Sequence, residues 1–580
     1  MYGPVSRYAD EIHQMKYRSV NETFEDAMNR IAAVLADNNH HFTALRKAML
    51  HQRILFAGRV QAAVGSSRNI TPFNCFVAPT IEDSFVDGKN SIMEVAHKAA
   101  ATMRMGGGIG YDFSTLRHRG SLISKLGSQS SGAVSFMNIF NEICKCTSSS
   151  GHRRGAQMAV MRIDHPDIEE FINAKHNITN LTAFNTSIAI TDEFMECVEA
   201  DAMFHLKWDG VTQKSIRAVD LWNAVLRSTY DWAEPGVLFI DRINEMNNLW
   251  YCETIAATNP CAEQPLPPNG SCLLASMNLV KYHTPANKFI IPEHPVSSSN
   301  IFNFNFSLFR EDIYEAVRAL DNVIDNALFP LPEQKEEAFN KRRIGLGVTG
   351  VANAIEALGA PYGSPEFVGI LEVMLRTLRD TAYRASINLA KEKGSFPFFD
   401  KDKYLQSGFV KTLPEDIREG IAEHGIRNSH LLSIAPTGTI SLTADNVSSG
   451  IEPVFAHHFD RQIIEFNRIR TDRVHDYGLK YFKHRGRKCS EVSIKEHLEV
   501  LITAQRFIDS SISKTCNVPK DIEWEDFKNV YMLAWQEGCK GCTTYRVGGM
   551  REGVLTEVPE EQEEDLSCVY DPETGLRSCE

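Results

Sequence analysis

Asn259-Pro260-Cys261-Ala262-Glu263 brings an amide, a thiol and a carboxylate together within five residues. Pro265, Pro267, Pro268, Asn269 and Gly270 follow, then Ser271-Cys272. Proline fixes φ and removes a backbone donor, and Asn-Gly favours a turn. The segment therefore reads as a rigid loop rather than a helix or strand. Loops held by a scaffold are where chemistry commonly sits. The plain alternative is a structural turn with a buried thiol, since free cysteine is among the most buried residue types.

On either side of this loop, short apolar stretches at 158–163, 187–190 and 431–435 alternate with long helical patterns. The clearest helix has Ser364 as cap and Pro365 in its first turn. It keeps Phe367, Leu371, Met374, Leu378, Ala385 and Leu389 on one face and stops at Gly394. Such alternation predicts an α/β fold, a mainly parallel sheet or barrel covered by helices. Residues 1–65 read as a helical region, with Thr23 capping a helix whose Phe24, Ala27, Ile31 and Leu35 share a face. Residues 66–550 form the mixed, catalytic region. Residues 551–580 begin an acidic tail, Glu557 to Asp565, which is poor in apolar side chains and expected to be flexible; it carries Cys568 and Cys579.

Hydrophobic residues make up 43% and charged residues 23% of the 580, as in ordinary soluble globular proteins. A net charge of -13 argues against a dedicated nucleic-acid surface. No apolar run reaches membrane-spanning length, and the first twenty residues lack the apolar core of a secretory signal. Thirteen unevenly spaced cysteines do not resemble a secreted disulfide framework. The expectation is a cytoplasmic protein with a few working thiols.

Several motifs have a plain and a functional reading. Met105-Gly106-Gly107-Gly108-Ile109-Gly110-Tyr111 approaches a dinucleotide fingerprint but lacks its last glycine and a preceding apolar strand, so a turn with close backbone packing is expected. Ser148 to Ala156, with Arg153, Arg154 and Gly155, is either a loop over an anionic ligand or a solvated surface loop. Ala435-Pro436-Thr437-Gly438-Thr439-Ile440-Ser441 offers backbone N–H groups and hydroxyls to a phosphate, as many strand-to-helix turns do. Cys539-Lys540-Gly541-Cys542 has CxxC spacing, but Cys568 and Cys579 do not complete a zinc knuckle, and no metal site is expected.

Taken together, Asn74-Cys75, the 259–263 loop, Cys272 and the C-terminal thiols resemble the large catalytic chain of ribonucleotide reductases. So do Gly155-Ala156-Gln157-Met158, Arg162-Ile163-Asp164-His165-Pro166-Asp167-Ile168 and Arg342-Arg343-Ile344-Gly345-Leu346-Gly347-Val348-Thr349-Gly350. The likeness covers residues 60–550. It implies a ten-stranded α/β barrel with a central finger loop carrying Cys261, plus the N-terminal helical segment. Cys261 would carry the thiyl radical and Glu263 would be the base on the 3′-hydroxyl. Asn259 would orient the hydroxyls, and Cys75 with Cys272 would be the dithiol that supplies two electrons. Cys568 and Cys579 would re-reduce that pair and then exchange with a thioredoxin- or glutaredoxin-like reductant. Asn74, Thr437, Gly438, Thr439, Ile440 and Ser441 would hold the ribonucleotide substrate. Asp83, Ser84, Arg117 and Arg119 would bind a dNTP or ATP specificity effector at the interface of a homodimer. Arg153, Arg154 and Gly155 would relay its identity. With the catalytic region starting so near residue 1, the N-terminal regulatory domain found in many relatives, and overall on/off control by ATP and dATP through it, are not expected.

The source of the thiyl divides the family. Subunit-dependent enzymes relay a radical through two adjacent tyrosines, whereas this chain has Cys542-Thr543-Thr544-Tyr545-Arg546, with one. The stretch is more similar to the adenosylcobalamin-dependent class, which implies that cofactor. The alternative is a catalytic subunit with no cofactor of its own, served by a separate metal-containing small subunit. The glycyl-radical class would not need Glu263 with a tethered thiol pair. A catalytically dead nucleotide-binding paralogue stands as the non-enzymatic reading.

Overall fold

A computed structural model describes residues 2–124, 126–147, 156–177, 179–284, 303–465, 468–546 and 548–550. It also describes the short strands Thr556–Glu557, Cys568–Tyr570 and Arg577–Cys579. The chain is a mixed α/β protein. Thr23 caps the helix Phe24–Leu35 in a capping box with Asp26, and Ala27, Ile31 and Leu35 are buried along it. Strand β1 (Ile54–Phe56) ties this N-terminal region to the rest of the chain by pairing with a strand more than two hundred residues on.

The sheets follow from β2 (Cys75–Val77), β3 (Gly108–Asp112), β4 (Gln157–Arg162), β5 (Phe184–Ile190), β6 (Gly236–Phe239), β7 (Ser271–Cys272), β8 (Leu274–Asn278), β9 (Gly345–Thr349), β10 (Thr515–Val518) and β11 (Gly541–Arg546). Eight of them hydrogen-bond in the order β7-β2-β3-β4-β5-β6-β11-β10. Strands β2 to β6 are mutually parallel, β10 and β11 are parallel to each other, and the β7–β2 and β6–β11 junctions are antiparallel. A second sheet has the order β1-β8-β9. Bridges from Leu346 to Leu432 and from Ile434 to Ile512 run from β9 towards β10.

The apolar run at 431–435 is therefore bridged rather than laddered. The reason is Asp509, whose carboxylate accepts the N–H groups of Leu431 and Leu432 at 2.8 and 2.9 Å. A side chain takes the place of part of a neighbouring strand there. Gly347 lets this segment come close: a Cβ on it would lie 2.2 Å from the Ser433 carbonyl oxygen.

Outside the sheets, the helix Pro365–Lys393 begins and ends where its sequence requires. Ser364 accepts the Phe367 N–H at 3.1 Å, and Gly394 at φ +80° closes it. The turn into β9 carries a buried ion network. Arg343 meets Glu253 at 2.6 Å, Lys341 meets Glu253 at 2.8 Å, and Arg342 meets Asp321 at 2.7 Å. A large core fills the space between helices and sheets. A smaller apolar cluster joins Val77, Met158, Val160 and Leu238 to Ala257 and Leu266 of the 257–266 segment. Among the described residues no helix is long and apolar enough to cross a membrane.

Candidate active site

The 259–263 loop is the tip of a short hairpin, not an irregular loop. Ala257–Thr258 pairs antiparallel with Pro265–Leu266. The tip closes by hydrogen bonds from the Asn259 N–H to the Gln264 carbonyl at 3.1 Å and from the Gln264 N–H to the Asn259 side-chain oxygen at 3.0 Å. Ala262 turns the chain at φ +64°. The prolines do not exclude strand, contrary to the expectation of a loop, because Pro265 sits in the first pair of a two-residue ladder, where a missing N–H is tolerated.

The hairpin lies against β3, and here the glycine stretch finds its use. Met105 to Gly107 turn the chain after a helix, and Gly108 to Asp112 form a strand. A Cβ on Gly110 would stand 1.9 Å from the Thr258 carbonyl oxygen. One on Gly108 would meet Pro260 at 3.1 Å and the Cys75 sulfur at 3.2 Å. The close packing anticipated for these glycines is present, on a strand rather than a turn. From the next strands, Asn185 donates to the Pro260 carbonyl at 2.9 Å.

This seating sorts the tip's side chains. Cys261 is exposed, whereas Asn259 and Glu263 are buried. The Glu263 carbonyl is held by Ser433 Oγ at 2.9 Å and the Ser511 N–H at 3.0 Å. The Asn259 side-chain nitrogen is buried without a protein partner, and so is the Asn74 side-chain oxygen. Polar atoms in that state mark a place for a ligand or water.

Cys75 and Cys272 are Cα partners across the antiparallel β2–β7 pair. Residues far apart in sequence thus come side by side, and the two thiols hydrogen-bond. Burial pushes the Cys272 thiol well above its ordinary value, and the bond with Cys75 and the Glu263 charge push the same way. Cys272 is a protonated thiol at neutral pH.

Cys261 opens into a cavity of about 350 Å³. Its wall is formed by β4, β5, β6, β11, Pro436 and residues 511–515, with small side chains at Ser187, Gly236, Gly541 and Thr543. No tyrosine or tryptophan is among the described lining residues. Thr544 faces away from it and bonds to the Tyr531 hydroxyl at 2.8 Å. Asn185 and Ser187 were not anticipated; single polar residues on strands leave no sequence signal separating lining from packing.

In the 436–441 turn, Thr437 sits at φ +54° ahead of the helix Gly438–Thr443. The Thr437, Ser441 and Thr349 hydroxyls bond to one another at 2.9 to 3.0 Å, and Thr437 accepts the Gly450 N–H at 2.8 Å. These hydroxyls brace the turn. Gly438 and Thr439 line a second cavity of about 450 Å³, and a Cβ on Gly438 would meet nothing within 4 Å. The backbone at Gly438 and Thr439 is the part open to an anion, and Ile440 is buried.

Arg117 pairs with Asp83 at 2.8 Å, and Ser84 accepts the Asp87 N–H at 3.0 Å. Arg119 instead pairs with Glu170 at 2.6 Å. Arg153, Arg154 and Gly155 lie outside the described residues. Cys568 and Cys579 are Cα partners across the antiparallel pair Cys568–Tyr570 and Arg577–Cys579. The chain ahead of them is anchored where Thr556–Glu557 pairs with the strand His458–Glu465.

The class of protein is settled by comparison. Residues 73–545 match the family model of the ribonucleotide reductase barrel domain, and the chain belongs to that family. It is 35% identical over 512 residues to a vitamin B12-dependent ribonucleoside-diphosphate reductase of Mycobacterium tuberculosis, covering 83% of this chain and 68% of the relative. It is 32% identical over 605 residues to a protein of the same name from Thermoplasma acidophilum, covering 97% and 74%. A ribonucleoside-diphosphate reductase subunit alpha of Chlamydia muridarum is 26% identical over 559 residues, covering 81% and 51%.

Proposed function

We propose that this chain is an adenosylcobalamin-dependent reductase that converts ribonucleotides to 2′-deoxyribonucleotides. The observation that carries this reading is the exposed Cys261 thiol beside a cavity with no tyrosine or tryptophan among its described lining residues, backed by the Cys75–Cys272 pair. The family acts on ribonucleotides, and the relatives named vitamin B12-dependent are 35% and 32% identical to this chain, against 26% for the subunit alpha of Chlamydia muridarum.

The cavity fits the cofactor's nucleoside end. It has the size of a small-molecule site, and Ser187, Gly236, Gly541 and Thr543 leave room beside Cys261. Those residues would hold it. When bound, the cofactor supplies a radical by homolysis of its cobalt–carbon bond. Cys261 as a thiyl would take the hydrogen atom from C3′ of the substrate and give it back to C3′ once C2′ is reduced, which restores the thiyl. Glu263 takes the proton of the 3′-hydroxyl, and Asn259, whose side-chain nitrogen has no protein partner, orients the hydroxyls. The 2′-hydroxyl leaves as water. Cys75 and Cys272 supply two electrons and two protons and close to a disulfide. Asn74 and the backbone of Gly438 and Thr439 bind the substrate, with Thr437, Ile440 and Ser441 shaping that turn.

The remaining parts follow the same reading. The two parallel strand sets and the Leu346–Leu432 and Ile434–Ile512 bridges support a ten-stranded barrel closed around the Cys261 finger. Residues 66–550 are its catalytic domain, 1–65 a helical N-terminal region and 551–580 a redox tail. Cys568 and Cys579 re-reduce the Cys75–Cys272 disulfide and pass electrons from a thioredoxin- or glutaredoxin-like protein of the cytoplasm. Asp83 and Arg117, with Ser84, take a dNTP or ATP effector at a homodimer interface, and Arg119 is a lesser partner. The 153–155 loop relays that signal.

The test is deoxynucleotide formation by the purified chain with adenosylcobalamin and a small dithiol, without a second subunit, iron or manganese. Effector-stimulated product is expected. A chain inert under these conditions but active with a ferritin-like metal subunit overturns the cofactor assignment. Nucleotide binding without turnover in either assay overturns the enzyme reading.

A further inference from the structure

Away from the Cys261 cavity, a smaller one of about 210 Å³ lies on the seam between the N-terminal region and the rest of the chain. Its wall brings together His51 and Arg53 from that region, Lys281 just past β8, Asp445 just past the helix Gly438–Thr443, and Tyr477 and Tyr481. It shares no lining residue with the Cys261 cavity. Arg53 gives Nε and Nη2 to Asp312 at 2.6 and 3.1 Å, and its Nη1 stands outside that pair. Lys281 donates to the Tyr477 hydroxyl at 3.3 Å and lies 5.2 Å from the centre of that ring. Among the described residues no carboxylate lies within ion-pair distance of the Lys281 ammonium. Burial draws this ammonium below its ordinary value, and the more distant Asp445 charge opposes the effect. A cation taken out of water without a paired anion is costly, so the cavity favours one. The Tyr481 hydroxyl is buried without a well-formed hydrogen bond, near enough to Asp445 to feel its charge.

Asp445 narrows the choice of anion. Its carboxylate accepts the Val5 N–H at 3.0 Å and the Ser6 N–H at 2.7 Å, which pins the start of the chain here. A carboxylate offers about four lone-pair sites, so these donors do not exhaust it. An anion seated against it must bring a proton of its own. Hydrogen phosphate carries one at neutral pH, and sulfate carries none. We propose that this cavity binds inorganic phosphate, with Lys281, Arg53 and the Tyr481 hydroxyl as donors and Asp445 accepting the phosphate's own O–H. The volume lies below the roughly 300 Å³ at which ordinary small-molecule sites begin, which admits phosphate and excludes a nucleotide. Bound there, phosphate bridges the N-terminal region to the segment that follows the 436–443 turn.

The test uses the full chain in phosphate-free buffer at neutral pH. Equilibrium dialysis with radiolabelled inorganic phosphate counts the phosphate bound per chain, with sulfate as competitor. One phosphate that equal sulfate does not displace is expected. Lys281→Met keeps the apolar stem and removes the charge; it should weaken that site by about tenfold or more, while any phosphate held at Gly438 and Thr439 stays. Asp445→Asn should admit sulfate, because an amide can donate where the carboxylate only accepts. Crystals of the parent soaked in phosphate should show a tetrahedral anion between Lys281 and Tyr481. No binding at millimolar phosphate overturns the proposal, as do equal displacement by sulfate, unchanged binding in Lys281→Met, or an anion found only elsewhere. The soak and the sulfate competition use the parent chain and decide even if a variant does not fold.

Discussion

At the residue scale, Cys261 is the sharpest point of the proposal. Replacing its sulfur by oxygen barely changes size, but an O–H is a far poorer source of a hydrogen-abstracting radical. Cys261→Ser is expected to show no turnover while its nucleotide Kd stays within about twofold; equilibrium binding beside a product assay checks it, and repeated turnovers would sink the role. Glu356 makes a prediction unrelated to catalysis. It is 1% exposed, and burial pushes its carboxyl up to about 7 despite N–H donors from Arg487 and Tyr362. The folded state therefore binds this proton more tightly than the unfolded state. The neutral carboxyl's contribution is fully present below the unfolded value of 4.5 and is lost as pH rises towards 7. Glu356→Gln should gain stability relative to the parent across that window, reaching about 3 kcal/mol at pH 8. Urea denaturation at pH 4 and pH 8 measures it, and an unchanged pH dependence contradicts it. The residues proposed to react stand out in the sequence because amide, thiol and carboxylate lie together at 259–263. Asn185 does not, since its role depends on which strand face meets the hairpin.

At the scale of elements, the sequence signals worked where a local rule decides. Thr23 and Ser364 cap the helices they were expected to cap. They failed where a distant side chain intervenes, as Asp509 does at Leu431 and Leu432, and where a two-residue ladder tolerates proline at 265. The fit of β3 under the hairpin can be tested directly. Gly110→Ala would drive a methyl group into the Thr258 carbonyl and must displace the segment carrying Cys261. A displacement of roughly 1 Å is expected to lower kcat by about a hundredfold. The chain should still fold, because overpacking typically costs about 1–3 kcal/mol. Circular dichroism with single-turnover kinetics separates the two, and near-normal kcat would show that the hairpin tolerates the shift.

At the scale of the whole molecule, strand order is what sequence could not supply. Nothing in the residues around Cys75 and Cys272 says that β2 and β7 are neighbours, and only the resemblance implied it. The tail makes the last prediction. Cys568→Ser or Cys579→Ser should stop multiple turnover with a protein reductant, leave the first turnover from prereduced enzyme intact, and be bypassed by a small dithiol. Rapid-quench product counts decide it, and loss of the first turnover would assign those thiols elsewhere. The anchoring of Thr556–Glu557 on His458–Glu465 adds a constraint. From Glu557 to Cys568 is 568 − 557 = 11 residue steps, which at roughly 3.3–3.6 Å each span at most about 40 Å. Within that radius the exchange proposed for the tail thiols would run at a local concentration on the order of millimolar, whatever the concentration of the protein. Dilution should therefore slow reduction by the external protein while leaving the internal exchange rate per chain unchanged.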